Sequence, residues 1–244
     1  MSFVPAASGA RLIAVDWLRG FALAHMVAFH FLYDLRLYGL APDWMRYGAP
    51  FQAWAASIAG SFIFLAGLSL WLAHGRGFRA RGYLRRLGML VLAALAVSVA
   101  TRIAVPGAWV RFGILHSIAL SSLLGLAFLR APAWATAAAG LAVLFALPAL
   151  RDPAFDGLWW LWSGLGTARP PMIDYEPMVP WFGPFLLGLA FGQAGGAALL
   201  RWGPAAPGRL AAALAWPGRH ALTVYLLHQP ILIGAILGWS RLTG

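Results

Sequence analysis

Seven long apolar stretches make up most of this sequence, and each approaches the roughly 20 residues that a helix needs to cross a bilayer. The chain is 61% hydrophobic and 10% charged, whereas a soluble domain averages about 45–50% apolar and about 25% charged residues. A water-soluble fold of this size cannot hide that excess. The sequence therefore predicts an all-α polytopic membrane helical bundle, a single transmembrane domain of residues 1–244. Its seven transmembrane helices are expected at about 12–33, 51–73, 87–105, 112–130, 133–150, 179–197 and 219–240.

The distribution of arginine predicts how these helices are oriented. All 18 basic residues are Arg, and the formal net charge is +11. Eleven Arg and one acid, Asp16, fall on the side of the amino terminus, while seven Arg and six acids fall on the other side. Positively charged loops stay in the cytoplasm. We therefore expect a multi-pass inner-membrane protein with a cytoplasmic amino terminus, in which the arginines serve topology and not nucleic-acid binding.

Two local patterns predict packing. Gly188, Gly192 and Gly196 repeat at four-residue spacing on one helix face, and small residues at this spacing let helix backbones approach closely in lipid. The longest outer break, residues 151–178, contains three Trp. Because Trp favours the headgroup zone, we expect an interfacial helix in this break.

Ionisable side chains inside the apolar stretches are candidates for function, because burying them in lipid is costly. His30 is followed one helical turn later by Asp34, so the two share a helix face. An Asp placed there would orient the imidazole and raise its basicity, which is what a general base needs. Further histidines lie in the fourth and seventh stretches. The predicted catalytic residues are His30, Asp34, His116 and His228.

The depth of these histidines suggests a shared cavity. A rise of about 1.5 Å per residue places His30 and His116 in the outer third of the bilayer and His228 near mid-depth. These depths fit a cavity that opens outward and has its floor near the bilayer centre. The alternative is that each histidine makes one interhelical hydrogen bond and nothing more. The spacing of His30 and Asp34 favours the functional interpretation, whereas a lone histidine favours the structural one.

Cations on the cytoplasmic side are candidates for holding a phosphate-bearing ligand. Asp16 and Arg19 lie three residues apart at the inner end of the first stretch and can pair on one helix face. The loop after the second stretch adds more Arg, whose forked guanidinium suits phosphate oxygens. The alternative, which can hold at the same time, is an anchor on anionic lipid. The candidate phosphate contacts in this loop are Arg76, Arg79, Arg85 and Arg86.

Four separate stretches, in order along the chain, resemble one membrane protein family. They are Arg11 to Gly20 running into Met26 to Leu35, Arg111 to His116, Asp174-Tyr175 with Pro180-Trp181-Phe182-Gly183, and Gly218 to Pro230. On these residues the chain resembles the heparan-α-glucosaminide N-acetyltransferase-like family, a large bacterial group. The similarity spans almost the whole sequence.

This resemblance implies a transmembrane acyltransferase that takes an acetyl group from cytoplasmic acetyl-CoA and passes it to a sugar or glycolipid acceptor on the far side. No covalently bound cofactor is expected. The implied functional positions are Asp16, Arg19, His30, His116, Asp174 and His228. The substrate-binding side chains are expected to be Asp16, Arg19, Asp174, Tyr175, Trp181 and Gln229.

One departure from the family pattern concerns the catalytic histidine. The eukaryotic heparan-sulfate branch has Asn at the position aligned with His30 and a functional His in the loop that follows, whereas residues 35–73 here contain no His. Either His30 does the acid–base work, or acetyl transfer is lost or altered in this branch. In the first case His30, oriented by Asp34, deprotonates the acceptor. His116 or His228 would then donate a hydrogen bond to the developing oxyanion.

Two other kinds of protein fit the sequence. A haem-binding redox subunit is one, because imidazoles from two helices can ligate iron. A non-catalytic subunit is the other, packing through its Trp, Phe and Gly residues against a second copy or a larger membrane complex. A protein metal site is not expected, since no two His lie at the helical spacing of zinc sites. Cysteine is absent, which excludes disulfides, thiolate nucleophiles and iron–sulfur clusters.

Overall fold

The structure is a computed structural model in which residues 12–41, 48–198 and 208–243 are described. In that part of the chain all regular structure is helical and no strand occurs, so the predicted all-α class is confirmed. The α-helices are α1 (Ile13–Leu37), α2 (Ala49–His74), α3 (Ala80–Ala104), α4 (Ile114–Leu124), α5 (Ala133–Leu141), α6 (Met178–Gln193), α7 (Arg209–Arg219) and α8 (Ala221–Thr243).

Long apolar helices dominate the described residues. By length and composition, four helical segments of this part of the chain can cross a membrane: Ala49–His74, Ala80–Ala104, Ala133–Leu150 and Ala221–Leu242. Their apolar side chains are often exposed; on α3, Leu92 is 68% and Ile103 is 77% exposed. Such surfaces would aggregate in water, whereas lipid solvates them. We conclude that the chain is a membrane protein.

Three of the predicted spans, those of α1, α4 and α6, do not belong to this group. The apolar helical segment that contains α4, Ile114–Phe128, is shorter than the four candidates. The charged side chains of α1 are Asp16, Arg19, Asp34 and Arg36. α6 has 16 residues, about 24 Å at 1.5 Å per residue, which is less than the roughly 30 Å hydrocarbon core. The count of seven spans and the cytoplasmic amino terminus therefore stay predictions.

Helix boundaries differ from the expected ones mainly in the third and fifth stretches. α3 begins at Ala80, so Arg85 and Arg86 lie in its first turns and not in a loop. α5 passes directly into a π-helical turn, Ala142–Ala146, and then a 3₁₀ turn, Leu147–Leu150. A helix that changes hydrogen-bonding pattern in this way keeps its backbone groups paired while its axis adjusts.

The break between α5 and α6 contains no interfacial helix, and that prediction is wrong. Its regular structure consists of two 3₁₀ turns, Pro153–Phe155 and Leu158–Trp160. Asp152 caps the first turn by accepting a hydrogen bond from the Ala154 N–H at 2.8 Å. Gly164 has a φ of 76°, a conformation that favours glycine. Turn-forming residues therefore divide this segment into short turns, although its Trp side chains favour the headgroup zone.

The described helices fall into two compact units, each of which is considered by itself. The first unit draws on residues 1–42 and 197–244 and contains α1, α7 and α8, with α7 and α8 both packed on α1. The second unit draws on residues 43–196 and contains α2 to α6. In it, α6 packs on α2 and α5, and α3 packs on α4. The expectation of a single transmembrane domain stays a prediction.

Glycines bring α2 and α6 together in the second unit. A Cβ added at Gly188 would overlap the backbone oxygen of Phe64, and a Cβ at Gly67 would overlap that of Phe185. A Cβ added at Gly192 would overlap the side chain of Trp71, so this glycine packs closely on the indole. The predicted close packing is confirmed at Gly188 and Gly192. It is wrong at the third glycine of the pattern, which lies in a short 3₁₀ turn beyond the end of α6.

Small residues also join α1 and α7 in the first unit. A Cβ at Gly218 would overlap the backbone of Asp16, and the indole N–H of Trp17 donates to the Ala211 carbonyl at 3.1 Å. α7 occupies a region that the sequence predicts as a break before the last span. This short helix contacts α1 through backbone atoms, and it positions one of the charged residues described below.

Candidate functional site

Two histidines meet where α1 packs on α8. The ring centroids of His30 and His228 lie 4.9 Å apart, with the ring planes inclined by 56°. His228 is 9% exposed, and His30 is half-buried. The aromatic rings of Phe29 and Tyr225 flank the pair, at 5.6 Å from His30 and 5.7 Å from His228. The structure therefore brings together two of the predicted catalytic residues.

Asp34 and Gln229 join the same two helices one turn away. The Gln229 amide Nε2 donates to both carboxylate oxygens of Asp34, at 2.8 and 2.9 Å. Asp34 is 1% exposed, so this contact is shielded from competing solvent. In the part of the chain that the structure describes, no hydrogen bond joins Asp34 to His30. Asp34, which was predicted to orient His30, binds Gln229 instead. This contact fixes the register of α1 against α8.

The hydrogen bonds of His228 and Gln229 leave two polar atoms without a partner. His228 Nδ1 lies 2.5 Å from the backbone carbonyl of Tyr225. Its other ring nitrogen, Nε2, is buried, and so is the amide oxygen of Gln229; neither has a hydrogen-bond partner among the described residues. More than nine in ten buried polar groups are paired in folded proteins. Two unpaired atoms on consecutive residues therefore mark a place where a ligand's polar groups would fit.

His116 lies in the second unit and has a partner at each ring nitrogen. Its Nδ1 accepts from the Gly113 N–H at 3.3 Å, and its Nε2 lies 3.3 Å from the hydroxyl of Ser98. That hydroxyl donates to the Val110 carbonyl at 2.7 Å. Since Nδ1 accepts, the proton of the neutral ring is on Nε2 and is donated to Ser98. His116 thus caps the start of α4 and links it to α3.

Asp174 also caps α4. Its Oδ2 accepts from the Ile114 N–H at 3.1 Å, one of the unpaired donors of the first helical turn. A Cβ at Gly113 would overlap this carboxylate, which explains the glycine at that position. Burial raises the pKa of Asp174 to about 6, opposed by the Ile114 hydrogen bond. The predicted substrate-binding carboxylate therefore has a structural partner in the fold.

Glu176 is a second acidic residue of this stretch, and the sequence analysis did not select it. Burial, followed by the nearby charge of Asp174, raises the pKa of Glu176 to about 9, while a hydrogen bond from the Trp181 side chain opposes the shift. The Glu176 N–H donates to the Phe112 carbonyl at 3.2 Å. Its position two residues after Asp174 and just before a Pro was the available signal. At neutral pH this side chain is uncharged.

Tyr175 and Trp181, both predicted to bind substrate, also contact the protein itself. The Tyr175 hydroxyl donates to the Leu161 carbonyl at 2.9 Å, and burial raises the pKa of Tyr175. Trp181 hydrogen-bonds Glu176. Together these contacts hold the segment before α6 against the 3₁₀ turns of the preceding break.

The predicted pair of Asp16 and Arg19 is present in the first unit, with a third member. Arg19 Nη1 lies 3.2 Å from Asp16 Oδ1, and Arg219 Nε of α7 lies 3.6 Å from Asp16 Oδ2. Asp16 is 1% exposed, whereas the Arg19 and Arg219 side chains are 26% and 33% exposed. The carboxylate thus ties two half-exposed guanidinium groups together. Arg219 was not predicted as a partner of Asp16, because α7 lies in a predicted break.

The basic segment around the start of α3 forms part of the protein surface. Arg76, Arg79 and Arg85 are exposed and Arg86 is half-buried. The Arg79 N–H donates to His74 Nδ1 at 3.3 Å, which shapes the turn between α2 and α3. These arginines are accessible to phosphate groups from a ligand or from lipid.

The predicted site residues therefore fall into two sets. His30, Asp34, His228 and Gln229 come together in the first unit, which also holds Asp16 and Arg19. His116, Asp174, Tyr175 and Trp181 lie in the second unit, where each has a protein partner. Within the described residues, no group of three or more His, Asp or Glu side chains could hold a metal ion.

These features define a class: a helical membrane protein with a buried imidazole pair and an Asp–Gln contact between two of its helices. The family model described as heparan-alpha-glucosaminide N-acetyltransferase, catalytic, matches residues 11–230. The chain belongs to this family, as its sequence motifs imply. No curated protein and no solved structure matches the chain.

Proposed function

We propose that this protein is a membrane acyltransferase that moves an acetyl or other acyl group from cytoplasmic acyl-CoA to a sugar or glycoconjugate on the opposite face. The observation that carries the proposal is the His30–His228 pair, with a buried ring nitrogen left unpaired, in a chain of an N-acetyltransferase family. Transfer to a hydroxyl or amine needs an acid–base group of this kind. Direct transfer needs no Cys nucleophile, in keeping with the absence of Cys.

The proposed topology has seven spans, with the amino terminus in the cytoplasm of a cell with an inner membrane. Four long apolar helices and the excess of arginine on one side support it. Because the chain has no Cys, single-cysteine variants give a background-free test. Arg76→Cys should react with an impermeant maleimide only from the cytoplasmic side, and Trp159→Cys only from the outer side. Labelling of both from one side would contradict the proposal.

Acetyl-CoA is the proposed donor, with its phosphates held at the basic surface. Arg76, Arg79 and Arg85 are exposed there, and guanidinium groups bind phosphate oxygens in a bidentate manner. Asp16 and Arg19, at the inner end of α1 in the first unit, are proposed as substrate contacts in their own right. Anionic lipid headgroups compete for the same surface, so donor binding should be measured in neutral and in anionic nanodiscs.

In the second unit, His116 and Asp174 are proposed to have a structural role. Both hold the first turn of α4, and Tyr175 and Trp181 hold the segment before α6. They are proposed to maintain the fold of the second unit and to exchange no proton with the acceptor. His30 and His228 are the proposed reacting groups.

The experiment that tests the function is a turnover assay with labelled acetyl-CoA and a panel of cell-envelope sugars and amino sugars. Purified protein in nanodiscs should transfer label to at least one acceptor. His30→Ala should lower that rate by about 10²-fold or more, because His30 is one of the two proposed reacting groups. His220→Gln is the control, since His220 is exposed. Acetyl-CoA binding without transfer to any acceptor, or full activity of His30→Ala, would contradict the proposal.

The geometry does not favour the alternative of a haem-binding subunit. The rings of His30 and His228 pack against each other at 4.9 Å, and an iron porphyrin ligated from both sides would have to lie between them. A visible absorption spectrum of the purified protein tests this directly, because bound haem gives an intense Soret band.

A further inference from the structure

We propose that His228, through its Nε2 atom, is the base that removes the acceptor's proton, and that His30 is the neighbouring hydrogen-bond donor. This assignment rests on the proposed acyl transfer and reverses the roles expected from the sequence. The sequence predicts His30 as the base and either His116 or His228 as the donor to the oxyanion.

The first step of the argument is the position of the ring proton on His228. Its Nδ1 lies 2.5 Å from the Tyr225 carbonyl. A carbonyl oxygen only accepts hydrogen bonds, so the proton must be on Nδ1. A neutral imidazole has one ring proton, and Nε2 therefore presents a lone pair. An atom in this state accepts a proton and cannot donate to an oxyanion.

The second step is that this lone pair is buried and available. Nε2 of His228 has no hydrogen-bond partner among the described residues, and the side chain is 9% exposed. Leaving a buried acceptor unpaired destabilises the fold. A hydroxyl or amine of an acceptor molecule would pair it, and Gln229 Oε1, the other unpaired atom, can accept from a second polar hydrogen of that molecule.

The third step distinguishes His228 from His30. In the described part of the chain, His30 makes ring contacts with Phe29 and His228 but no hydrogen bond through a ring nitrogen. Nothing therefore fixes the tautomer of His30, and either of its nitrogens can present an N–H. His228, in contrast, is held in one tautomer by its own helix. The titratable groups that accompany His228 are His30 and Asp34 of α1 and Tyr225 of α8.

The proposed step balances without any further reactant. The acceptor oxygen or nitrogen forms a bond to the acyl carbon of the thioester while its proton moves to Nε2 of His228. The carbon–sulfur bond then breaks, and the coenzyme A thiolate takes the proton from Nε2. His30 donates a hydrogen bond to the carbonyl oxygen while it carries negative charge. The products are the acylated acceptor and the free thiol, and His228 returns to the Nδ1–H form.

The first test compares His228→Gln, His30→Gln and His220→Gln. His220 is the matched control because its Nδ1 lies 3.0 Å from the Trp216 carbonyl of its own helix, yet the residue is exposed. His228→Gln should lower kcat by about 10²–10⁴-fold with the KM for acetyl-CoA unchanged, and His220→Gln should match the wild type. The rise of kcat/KM with pH should persist in His30→Gln and disappear in His228→Gln.

The second test needs no activity and no variant of His228. Nitrogen NMR of ¹⁵N-histidine-labelled protein, with His228 assigned by replacing the other histidines in turn, reports which ring nitrogen is protonated. We expect the Nδ1–H form, and an Nε2–H form would overturn the assignment.

The outcomes separate the two proposals. An active wild type with near-normal turnover by His228→Gln overturns the base assignment alone. If the rise of kcat/KM with pH is lost in His30→Gln and kept in His228→Gln, the base assignment is also overturned, and His30 is the base. A wild type that transfers no acyl group overturns the proposed function, and the proton transfer with it, even if NMR finds the Nδ1–H tautomer.

Discussion

Each unit of this protein contains a buried or half-buried histidine and an aspartate, and the two pairs are used differently. In the second unit, His116 and Asp174 both bind the start of α4, and both ring nitrogens of His116 have partners. In the first unit, Asp34 is paired with Gln229 but His228 keeps an unpaired Nε2. The same residue types thus serve a helix terminus in one unit and leave an open proton acceptor in the other.

The difference shows how a membrane helix bundle can separate structural from reactive polar groups. A histidine whose two ring nitrogens are both hydrogen-bonded within the protein cannot pair with a substrate. Replacing it leaves its partner groups unpaired. An unpaired buried nitrogen destabilises the fold, so its presence points to a role outside folding. Substitutions in the two units should therefore affect different measurements.

Outside the histidine pair, the largest effect is expected for Asp34→Ala, which removes the contact that sets the register of α1 against α8. Acyl transfer should fall by about 10²-fold, because a displacement of about 1 Å at a reacting group has that cost. The Gln229 amide would also lose its acceptor, lowering the free energy of unfolding by about 1–3 kcal/mol. Turnover in nanodiscs and thermal unfolding measure the two losses separately.

Asp34→Asn is the conservative control for this position. Its amide oxygen can still accept from Gln229 Nε2, so it should restore a large part of both activity and stability. If Asp34→Ala transferred acyl groups at the wild-type rate, the Asp34–Gln229 contact would have no role in positioning the histidines.

His116→Ala should show the opposite pattern to a variant of His228. The Gly113 N–H and the Ser98 hydroxyl each lose a partner, so we expect a loss of about 1–3 kcal/mol in the free energy of unfolding. Transfer per folded molecule should stay within a few-fold of the wild type, roughly 1 kcal/mol or less of activation free energy. A kcat reduced as strongly as in His228→Gln, with unchanged stability, would show that His116 acts in the reaction after all.

Much of the helical organisation could be predicted because apolar stretches of membrane length are visible in the sequence alone. The partners of the polar residues could not. Asp34 pairs with Gln229, 195 positions away in sequence, and helical spacing identifies residues on one face without showing what another helix presents to that face. The spacing of His30 and Asp34 therefore predicted a shared face, but it did not predict their separate partners.

Short and irregular segments were the other part of the structure that could not be predicted from the sequence. α7 was not predicted because it lies in the break expected before the last span, yet its last residue, Arg219, places its side chain beside Asp16. The segment after α5 was assigned a helix from its Trp residues, yet its turns depend on Asp152 and Gly164. In both cases a few contacts with backbone atoms determine the local structure, and these contacts cannot be predicted from composition.

Glu176→Gln should change the pH dependence of stability in the second unit. The pKa of Glu176 is raised from 4.5 to about 9, so the folded protein holds a proton that the unfolded chain releases at lower pH. The stabilisation is complete below about pH 4.5 and is lost as the pH rises through about 9. Relative to the wild type, Glu176→Gln should unfold at a similar temperature near pH 5 and at a higher one near pH 9. Parallel melting curves across this range would contradict a buried, uncharged Glu176.

The smallest effect is expected for Gly113→Ala, a change of one methyl group. Its Cβ would overlap the Asp174 carboxylate and move it away from the Ile114 N–H. The loss should be about 1 kcal/mol, as for other helix caps, with no change in acyl transfer by the folded protein. Asp174→Ala removes the same hydrogen bond, so Gly113→Ala should cost less in that background, where only the contact of its Cβ with the Val110 side chain remains. Additive losses in this double-mutant cycle would mean that Gly113 is needed for a reason other than the carboxylate beside it.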